Sequence, residues 1–293
     1  MRLVTFKRAG RLEQRLGALR EDGAVVDLVA ADPLLEGGML ALVAAEPAML
    51  ERARVAARSG GPVDGASLCA PIPRPPKNVF CVGKNYHEHA KEFADSGFDA
   101  STKEVVPEAP VVFSKPPTSV IGPGKPILAH LDPTNSVDYE GELAVVIGRA
   151  GRGIRKTDAL SHVFGYTIVN DVTARTLQHR HRQWILGKGL DGFCPMGPAI
   201  LTADEVPDPG ALRLITHVNG EKRQDAPVSD LIFDIPTLID TISAGITLEP
   251  GDIIATGTPA GVGIGFDPPR FLKPGDVVRI EVAGIGVLEN PVA

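Results

Sequence analysis

Three acidic side chains recur at every second position near the start of one apolar run. Asp138, Glu140 and Glu142 lie in the stretch VDYEGELAVVI, whose second half has the composition of a buried strand. Alternate side chains of a strand point to the same face, so this spacing predicts that the three carboxylates lie close together. Like charges repel, so one group must be protonated or a cation must lie among them. The alternative is that these carboxylates are solvated where the strand begins.

A further acid, Asp171, follows a second apolar run, VFGYTIVN, and precedes the helix-like segment VTARTLQ. Its simplest role would be that of a helix N-cap. It could also meet the other acids in space, and their oxygen atoms would then suit Mg²⁺, Mn²⁺ or Ca²⁺. No nearby Cys/His cluster favours zinc. These acids therefore predict a hard-cation site of the kind used in the chemistry of oxo acids.

A histidine and a glutamate are spaced for contact in the segment GKNYHEHAKE. On a helix His89 and Glu92 share a face, where the carboxylate would orient the imidazole for acid–base work. A surface ion pair is the alternative. His87 and Glu88 lie beside them, and spacing alone does not select among the four residues.

A lysine lies among glycines in the segment GKGLDGFCPMGP. The glycines formally match GxGxxG, but little strand precedes them and no helix pattern follows, which excludes a dinucleotide site. Lys188 is therefore predicted to reach into a site through a flexible loop. A solvated surface lysine is the alternative.

A second glycine-rich segment, ATGTPAGVGIG, lacks the GK[ST] ending of a phosphate-binding loop. Its backbone N–H groups and the Thr258 hydroxyl could bind a carboxylate or an oxyanion. A tight turn between strands is the alternative.

The elements that must position these residues form an irregular series. Many short apolar runs separated by Gly, Pro and Asp predict strands, and helices are predicted after Asn85, after Asp171 and over 235–245. This pattern favours an α+β class over a regular βαβ array. We expect a small N-terminal α+β domain at 1–70, a proline-rich linker at 71–77 and a catalytic domain at 78–293.

Composition excludes several classes of function. The 293 residues are 43% hydrophobic and 23% charged, with a formal net charge of −6, and no basic stripe points to nucleic acid. No segment approaches the roughly 18 apolar residues of a membrane span, and no signal peptide is evident, so a cytoplasmic protein is expected. The cysteines at 69, 81 and 194 are too far apart to predict a disulfide framework or a zinc site.

Several segments together resemble the fumarylacetoacetate hydrolase family. In chain order they are NVFCVGKNYHEHAKE, PVVFSKPPTSVIGPG, VDYEGELAVVIG, VFGYTIVNDVTAR, GKGLDGFCPMGP, VNGEKRQ with IFDIPTLI, and LEPGDIIATGTPAGVG. They extend over the whole of the second predicted domain. The resemblance implies a mixed β-sandwich roll with flanking helices, usually as a homodimer.

The resemblance also implies a metal site. The E-x-E pair and the Asp of VND hold Mg²⁺ or Mn²⁺ in this family, and they correspond here to Glu140, Glu142 and Asp171. Asp138 is not a usual ligand and would lie behind the ligands or at the surface.

Other roles carry over in the same way. The NYxxHxxE motif selects His89 and Glu92 as the catalytic pair, and the GK motif makes Lys188 a catalytic residue. Tyr86 and Thr258 correspond to substrate-binding positions, with Thr258 expected to contact a substrate carboxylate. Members often have Ser after the lysine, where this chain has Gly189, and this difference leaves the substrate open.

The family implies cleavage of a carbon–carbon bond in a small 1,3-dioxo or 2-oxo acid, such as an acylpyruvate. In that reaction the histidine–glutamate pair would activate water, and the metal with Lys188 would stabilise an enolate. Decarboxylation, isomerisation or a lyase reaction at the same site is the alternative, as is a catalytically silent ligand-binding protein. The polar segment 93–109 is expected to act as a lid over the substrate.

Overall fold

The computed structural model describes residues 1–98 and 105–293. Its strands are β1 (Arg2–Lys7), β2 (Arg15–Leu19), β3 (Val25–Asp27), β4 (Ser67–Leu68), β5 (Val79–Gly83), β6 (Val111–Lys115), β7 (Val120–Ile121), β8 (Val137–Asp138), β9 (Gly141–Ile147), β10 (Val163–Asn170), β11 (Thr173–Ala174), β12 (Cys194–Thr202), β13 (Arg213–Val218), β14 (Glu221–Pro227), β15 (Ile253–Ala255), β16 (Val277–Val282) and β17 (Gly286–Pro291). Its helices are α1 (Leu28–Ala31), α2 (Gly38–Val43), α3 (Pro47–Ser59), α4 (His87–Asp95), α5 (Arg175–His181), α6 (Ile185–Lys188) and α7 (Ile235–Ser243). Over these two ranges, none of the helices is long and apolar enough to cross a membrane.

Strands β9 and β10 lie at the centre of a large mixed sheet. Its order is β3-β2-β1-β12-β10-β9-β15-β5-β6, with β4 paired to β1 and β7 to β12. A second sheet of four strands has the order β14-β13-β16-β17, and β8 pairs with β11 in a separate two-stranded ribbon. Sheets of this extent with short helices confirm the predicted α+β class.

One face of the large sheet packs against the four-stranded sheet. Leu143 and Val145 of β9 share a hydrophobic core with Leu214 of β13 and Ile280 of β16. This layer of apolar side chains between two sheets is what a sandwich requires.

The opposite face of the large sheet is covered by the N-terminal helices. Ala144 and Val146 of β9 belong to a second core with Leu42 of α2 and Ala56 of α3. Strand β9 is therefore covered on both faces, and all of its residues are buried. This explains why it has the nearly continuous apolar composition of a strand that is buried on both faces.

The predicted helices can be compared with those observed. Helices α4 and α7 lie where the sequence places them, after Asn85 and within 235–245. After Asp171 the chain first forms β11, and the residue that precedes α5 is Ala174. Asp171 is therefore not the N-cap of that helix, and its carboxylate is available for another role.

The N-terminal residues join the main sheet. Strand β1 pairs with β12 in antiparallel register, Arg2 with Leu201 and Leu3 with Ile200. The division into domains at residues 71–77 stays a prediction. So does the lid: α4 continues to Asp95, and residues 99–104 of the predicted lid lie outside the described residues.

Candidate active site

The pairing of β9 with β10 brings the predicted acids together. The two strands are antiparallel, with Val169 opposite Glu142 and Asn170 opposite Gly141. The start of β9 therefore lies beside the end of β10, where Asp171 follows directly. Two hydrogen bonds fix this junction, from Asp171 N to Glu140 O at 2.8 Å and from Glu140 N to Asn170 Oδ1 at 3.0 Å.

The result is a carboxylate cluster formed by Glu140, Glu142 and Asp171. One ligand oxygen from each lies within 4.8 Å of the others, and all three side chains are buried. Burial, and then the charges of Asp171 and Glu140, raise the pKa of Glu142 well above its ordinary value. Burial acts in the same direction on Glu140, but Lys188 and Arg175 outweigh it and hold the pKa of Glu140 below its ordinary value.

Two buried lysines contact the cluster. Lys188 Nζ donates to Glu140 Oε2 at 2.9 Å, to Asp171 Oδ2 at 2.6 Å and to Thr173 Oγ1 at 2.8 Å. Lys115 Nζ donates to Asp171 Oδ1 at 2.6 Å and to the Val172 carbonyl at 3.0 Å. Lys188 is predicted from the sequence and Lys115 is not, although a lysine that ends the apolar run PVVFSK is a signal for a buried cation.

Lys188 does not lie in a flexible loop. It is the last residue of α6 and is 2% exposed, with its ammonium fixed by three acceptors. Gly189, which follows it, has no room for a side chain, because an added Cβ would lie 2.7 Å from the Ile185 carbonyl oxygen. The predicted flexible loop is therefore wrong: Lys188 lies at the tightly packed end of a helix.

The donor set fits a divalent metal ion. Three converging carboxylates offer the hard oxygen ligands that Mg²⁺ and Mn²⁺ prefer. Burial, and then repulsion by Asp171 and Glu140, disfavours the charged form of Glu142 and raises its pKa. A cation at this position would remove that repulsion.

Asp138 lies outside the carboxylate cluster, contrary to the expectation from spacing alone. Strand β8 ends at Asp138 and β9 begins at Gly141, so the period of two is broken between them. The Asp138 carboxylate instead accepts from Arg175 Nε at 2.9 Å and from the N–H groups of Gly263 and Ile264 at 2.7 and 3.1 Å. Arg175 also forms an ion pair of 2.6 Å with Glu140, so Asp138 supports the cluster indirectly.

His89 and Glu92 form a hydrogen-bonded acid–base pair on α4. His89 Nδ1 lies 3.1 Å from Glu92 Oε2, and Gly261 N donates to Glu92 Oε1 at 2.9 Å. His89 is buried, whereas His87 and Glu88 are exposed. The structure therefore brings together the two residues that the family motif selects and leaves the neighbouring two in solvent.

The acid–base pair and the carboxylate cluster border one narrow cavity. Its lining includes His89, Glu140, Arg175, Gln178 and Lys188. The cavity therefore has the histidine of the acid–base pair on one wall and Glu140 of the carboxylate cluster on another.

The glycine-rich loop (residues 256–265) holds acids of the protein itself. Gly257 N donates to Glu142 Oε2 at 2.9 Å, Gly261 N binds Glu92, and Gly263 N binds Asp138. These N–H groups, considered above as donors to a bound carboxylate or oxyanion, are therefore engaged by acids of the protein.

The two residues expected to bind substrate are both buried. The Thr258 hydroxyl donates to the Gly141 carbonyl at 2.9 Å and accepts from Gln224 Nε2 at 2.7 Å. Tyr86 precedes α4, and burial together with the nearby charge of Glu142 raises its pKa above the ordinary tyrosine value. Their contact with substrate stays a prediction.

Comparison with known proteins adds a family match. The model of the fumarylacetoacetate (FAA) hydrolase C-terminal family matches residues 78–293. The chain is 54% identical over 225 residues to oxaloacetate tautomerase YisK of Bacillus subtilis (strain 168), covering 77% of this chain and 72% of that protein. It is 42% identical over 299 residues to the mitochondrial oxaloacetate tautomerase FAHD2A of Homo sapiens, covering 100% of this chain and 91% of that protein.

Solved structures agree with this match. A fumarylacetoacetate hydrolase from Exiguobacterium antarcticum has a TM-score of 0.83 at 41% identity, covering 100% of this chain and 99% of that chain. Maleylpyruvate hydrolase from Sphingobium sp. SYK-6, in complex with manganese(II) and pyruvate, has a TM-score of 0.79 at 33% identity, with the same coverage. The relatives thus include both tautomerases and a hydrolase.

Proposed function

The chain belongs to the fumarylacetoacetate hydrolase family, and from this premise we propose that it is a metal-dependent oxaloacetate tautomerase. The observation that carries the proposal is its 42% identity, over the full length of the chain, to a protein named as an oxaloacetate tautomerase. The carbon–carbon hydrolysis expected from the family alone becomes the second candidate.

The metal ligands in this proposal are Glu140, Glu142 and Asp171. A bound Mg²⁺ or Mn²⁺ would supply Lewis acidity, which favours loss of a proton from the carbon next to the oxo group. Lys188 donates to two of these carboxylates and adds a second positive charge beside them. Positive charge fixed in a buried site stabilises the negative charge that develops as the proton leaves.

The acid–base pair transfers the proton. Keto–enol exchange moves one hydrogen between C3 and the oxygen on C2, so it needs a group that first accepts a proton and then returns it. Because Nδ1 of His89 faces Glu92, the carboxylate favours the tautomer with a proton on Nδ1 and leaves Nε2 as the acceptor. Glu92, itself fixed by Gly261 N, then stabilises the imidazolium that forms.

A second candidate is hydrolysis of an acylpyruvate. It is favoured by the likeness to maleylpyruvate hydrolase, whose structure holds manganese and pyruvate. The same histidine would then take its proton from water, and the products would be pyruvate and a second acid. Retention of His89, Glu92 and Lys188 beside the carboxylate cluster favours either reaction over a silent ligand-binding protein.

The decisive experiment follows the enol of oxaloacetate by its ultraviolet absorbance. Protein supplied with Mg²⁺ or Mn²⁺ is compared with protein in excess chelator and with a protein-free blank at the same metal concentration. Accelerated loss of the enol without pyruvate release supports the tautomerase proposal. This acceleration must disappear in excess chelator. Pyruvate release from oxaloacetate would instead show a decarboxylase, and release from an acylpyruvate would show the hydrolase.

Gly265→Ala is predicted to disturb the acid–base pair without unfolding the protein. A Cβ at residue 265 would overlap the carboxylate of Glu92, which is the movable end of a side chain, so Glu92 must leave its position. We expect turnover to fall by at least about tenfold, within the range that positioned acid–base groups contribute. Enol loss and the thermal unfolding midpoint are measured together.

Gly245→Ala is the matched control, because an added Cβ there meets nothing within 4 Å. It should leave turnover unchanged. Full activity in Gly265→Ala would contradict the assigned role of Glu92.

A further inference from the structure

Gln224 is a buried amide in the segment VNGEKRQ, and the proposed mechanism gives it no role. It lies on β14 of the four-stranded sheet and is 1% exposed. Taking an amide out of water costs free energy unless hydrogen bonds within the protein replace those to water. The partners of Gln224 therefore indicate what its side chain does.

The amide of Gln224 makes three hydrogen bonds to the large sheet and the glycine-rich loop. Its Oε1 accepts from Gly141 N at 3.0 Å, and its Nε2 donates to Thr258 Oγ1 and to the Pro259 carbonyl, each at 2.7 Å. A backbone N–H can only donate and a carbonyl can only accept, so Gly141 and Pro259 fix the orientation of the amide. The side chain therefore links the four-stranded sheet to the start of β9 in a defined geometry.

Gly141 is the residue between two of the proposed metal ligands, Glu140 and Glu142. Its N–H belongs to the peptide group shared with Glu140, and its carbonyl belongs to the peptide group shared with Glu142. Gln224 binds the first of these peptide groups, and the Thr258 hydroxyl binds the second at 2.9 Å. Both peptide groups that connect the two ligands are therefore held from outside the strand.

Side chains hold Gly141 because the neighbouring strand has already ended. Strand β9 lies between β10 and β15, and its ladder with β15 stops at the pair of Ala144 and Ala255. Gly141 itself has no room for a side chain, because an added Cβ would overlap Thr216 Oγ1 of β13. The four-stranded sheet thus packs directly against the backbone between the two ligands.

The three groups close a ring of hydrogen bonds. Gln224 Nε2 donates to the Thr258 hydroxyl, which donates to the Gly141 carbonyl, and Gly141 N donates back to Gln224 Oε1. Connected bonds of this kind polarise and strengthen one another. Beside Thr258, Gly257 N donates to the Glu142 carboxylate at 2.9 Å. The ring therefore acts on Glu142 both through its backbone and through the donor that holds its carboxylate.

We propose that Gln224 is a positioning residue that sets the geometry of the metal ligands Glu140 and Glu142 through the two peptide groups of Gly141. This inference rests on the metal site of the proposed function. Groups that orient metal ligands typically change metal affinity by about 10- to 100-fold when they are removed. Mg²⁺ demands near-ideal octahedral geometry whereas Ca²⁺ accepts a flexible one, so a change in ligand geometry weakens Mg²⁺ binding more than Ca²⁺ binding.

The test measures metal binding by calorimetric titration of the full-length, metal-free protein in the absence of substrate. In Gln224→Met, which keeps the length of the side chain but removes the amide, we expect the Kd for Mg²⁺ to rise at least about tenfold and the Kd for Ca²⁺ less than about threefold. Lys222→Met is the matched control, because Lys222 lies on the same strand but is exposed, and it should leave both Kd values unchanged. Each titration is run well below the unfolding midpoint of the variant, so that loss of folded protein does not contribute.

Thr258→Val opens the same ring from the side of the loop with a residue of similar shape. It should show the same selective loss of Mg²⁺ affinity, and it tests the proposal even if Gln224→Met does not fold. The double variant should bind Mg²⁺ little more weakly than either single variant, because the effects of groups in one hydrogen-bond network do not add.

The outcomes separate this inference from the proposed function. Unchanged Mg²⁺ affinity, or an equal loss for both ions, overturns the role of Gln224 even if the unfolding midpoint falls. If the wild type shows the Gln224-dependent preference but does not accelerate loss of the enol, the Gln224 assignment holds and the tautomerase proposal fails. If the wild type accelerates loss of the enol only with metal and Gln224→Met keeps its Mg²⁺ affinity, the tautomerase proposal stands and this inference fails.

Discussion

Glu142→Gln should abolish metal binding without destabilising the metal-free protein. The substitution removes one of the three carboxylates, and we expect Mn²⁺ affinity to fall by at least about 100-fold and turnover by about 10²–10³. In the metal-free protein the charged form of Glu142 is already disfavoured, because burial and the charges of Asp171 and Glu140 raise the pKa of its carboxyl group. A neutral amide of the same shape should therefore leave the unfolding midpoint of the metal-free protein unchanged or higher. Calorimetric Mn²⁺ titration and thermal unfolding with and without Mn²⁺ measure both effects.

Comparing Glu140→Gln with Glu142→Gln separates the loss of metal binding from the loss of stability. Glu140→Gln also removes a ligand, but Glu140 pairs with the buried Lys188 and Arg175 at 2.9 and 2.6 Å. Breaking a buried ion pair leaves uncompensated charge and costs about 3–5 kcal/mol. We therefore expect both variants to lose the metal-induced rise in melting temperature and Glu140→Gln alone to unfold earlier without metal. Normal Mn²⁺ binding in either variant would remove that residue from the ligand set.

His89→Asn should slow the reaction by about 10²–10⁴ while metal binding stays intact. The change removes the proton acceptor from the acid–base pair, and general acid–base catalysis contributes in that range. His89 is hydrogen-bonded to Glu92 and not to the carboxylate cluster, so we expect the metal ligands to keep their positions. Enol loss is measured at saturating Mn²⁺, and thermal unfolding with and without Mn²⁺ verifies that the metal still binds.

His87→Asn provides the control, because His87 lies on the same helix but is exposed. It should retain wild-type turnover. If the exposed variant lost activity and the buried one kept it, the choice of His89 over His87 would be wrong.

Part of the site was predictable because it depends on short-range order. The spacing of two brought Glu140, the residue just before β9, near Glu142 within it, and the helical spacing of α4 placed His89 against Glu92. The same reasoning failed for Asp138, because β8 and β9 are separate strands and their junction changes the direction of the side chains. A local period cannot show where a strand stops.

The rest of the site depends on contacts between distant parts of the chain. Lys115 reaches Asp171 across 56 positions, and Gly257 reaches Glu142 across 115. The pairing of β1 with β12, which links residues 2 and 201, is likewise set by the order of strands in the sheet. No local pattern encodes such pairings, so the α+β class could be predicted while the strand order could not.

The glycine-rich loop has a consequence for the order in which the protein acquires its activity during synthesis. Acids from three elements, Glu92, Asp138 and Glu142, are all held by N–H groups that lie between residues 257 and 264. A nascent chain that ends before this loop contains every proposed metal ligand and the whole acid–base pair but lacks the donors that fix them. The donors that fix these acids are therefore synthesised after the acids themselves, and the geometry of the site is complete only once residues 257–264 have joined it.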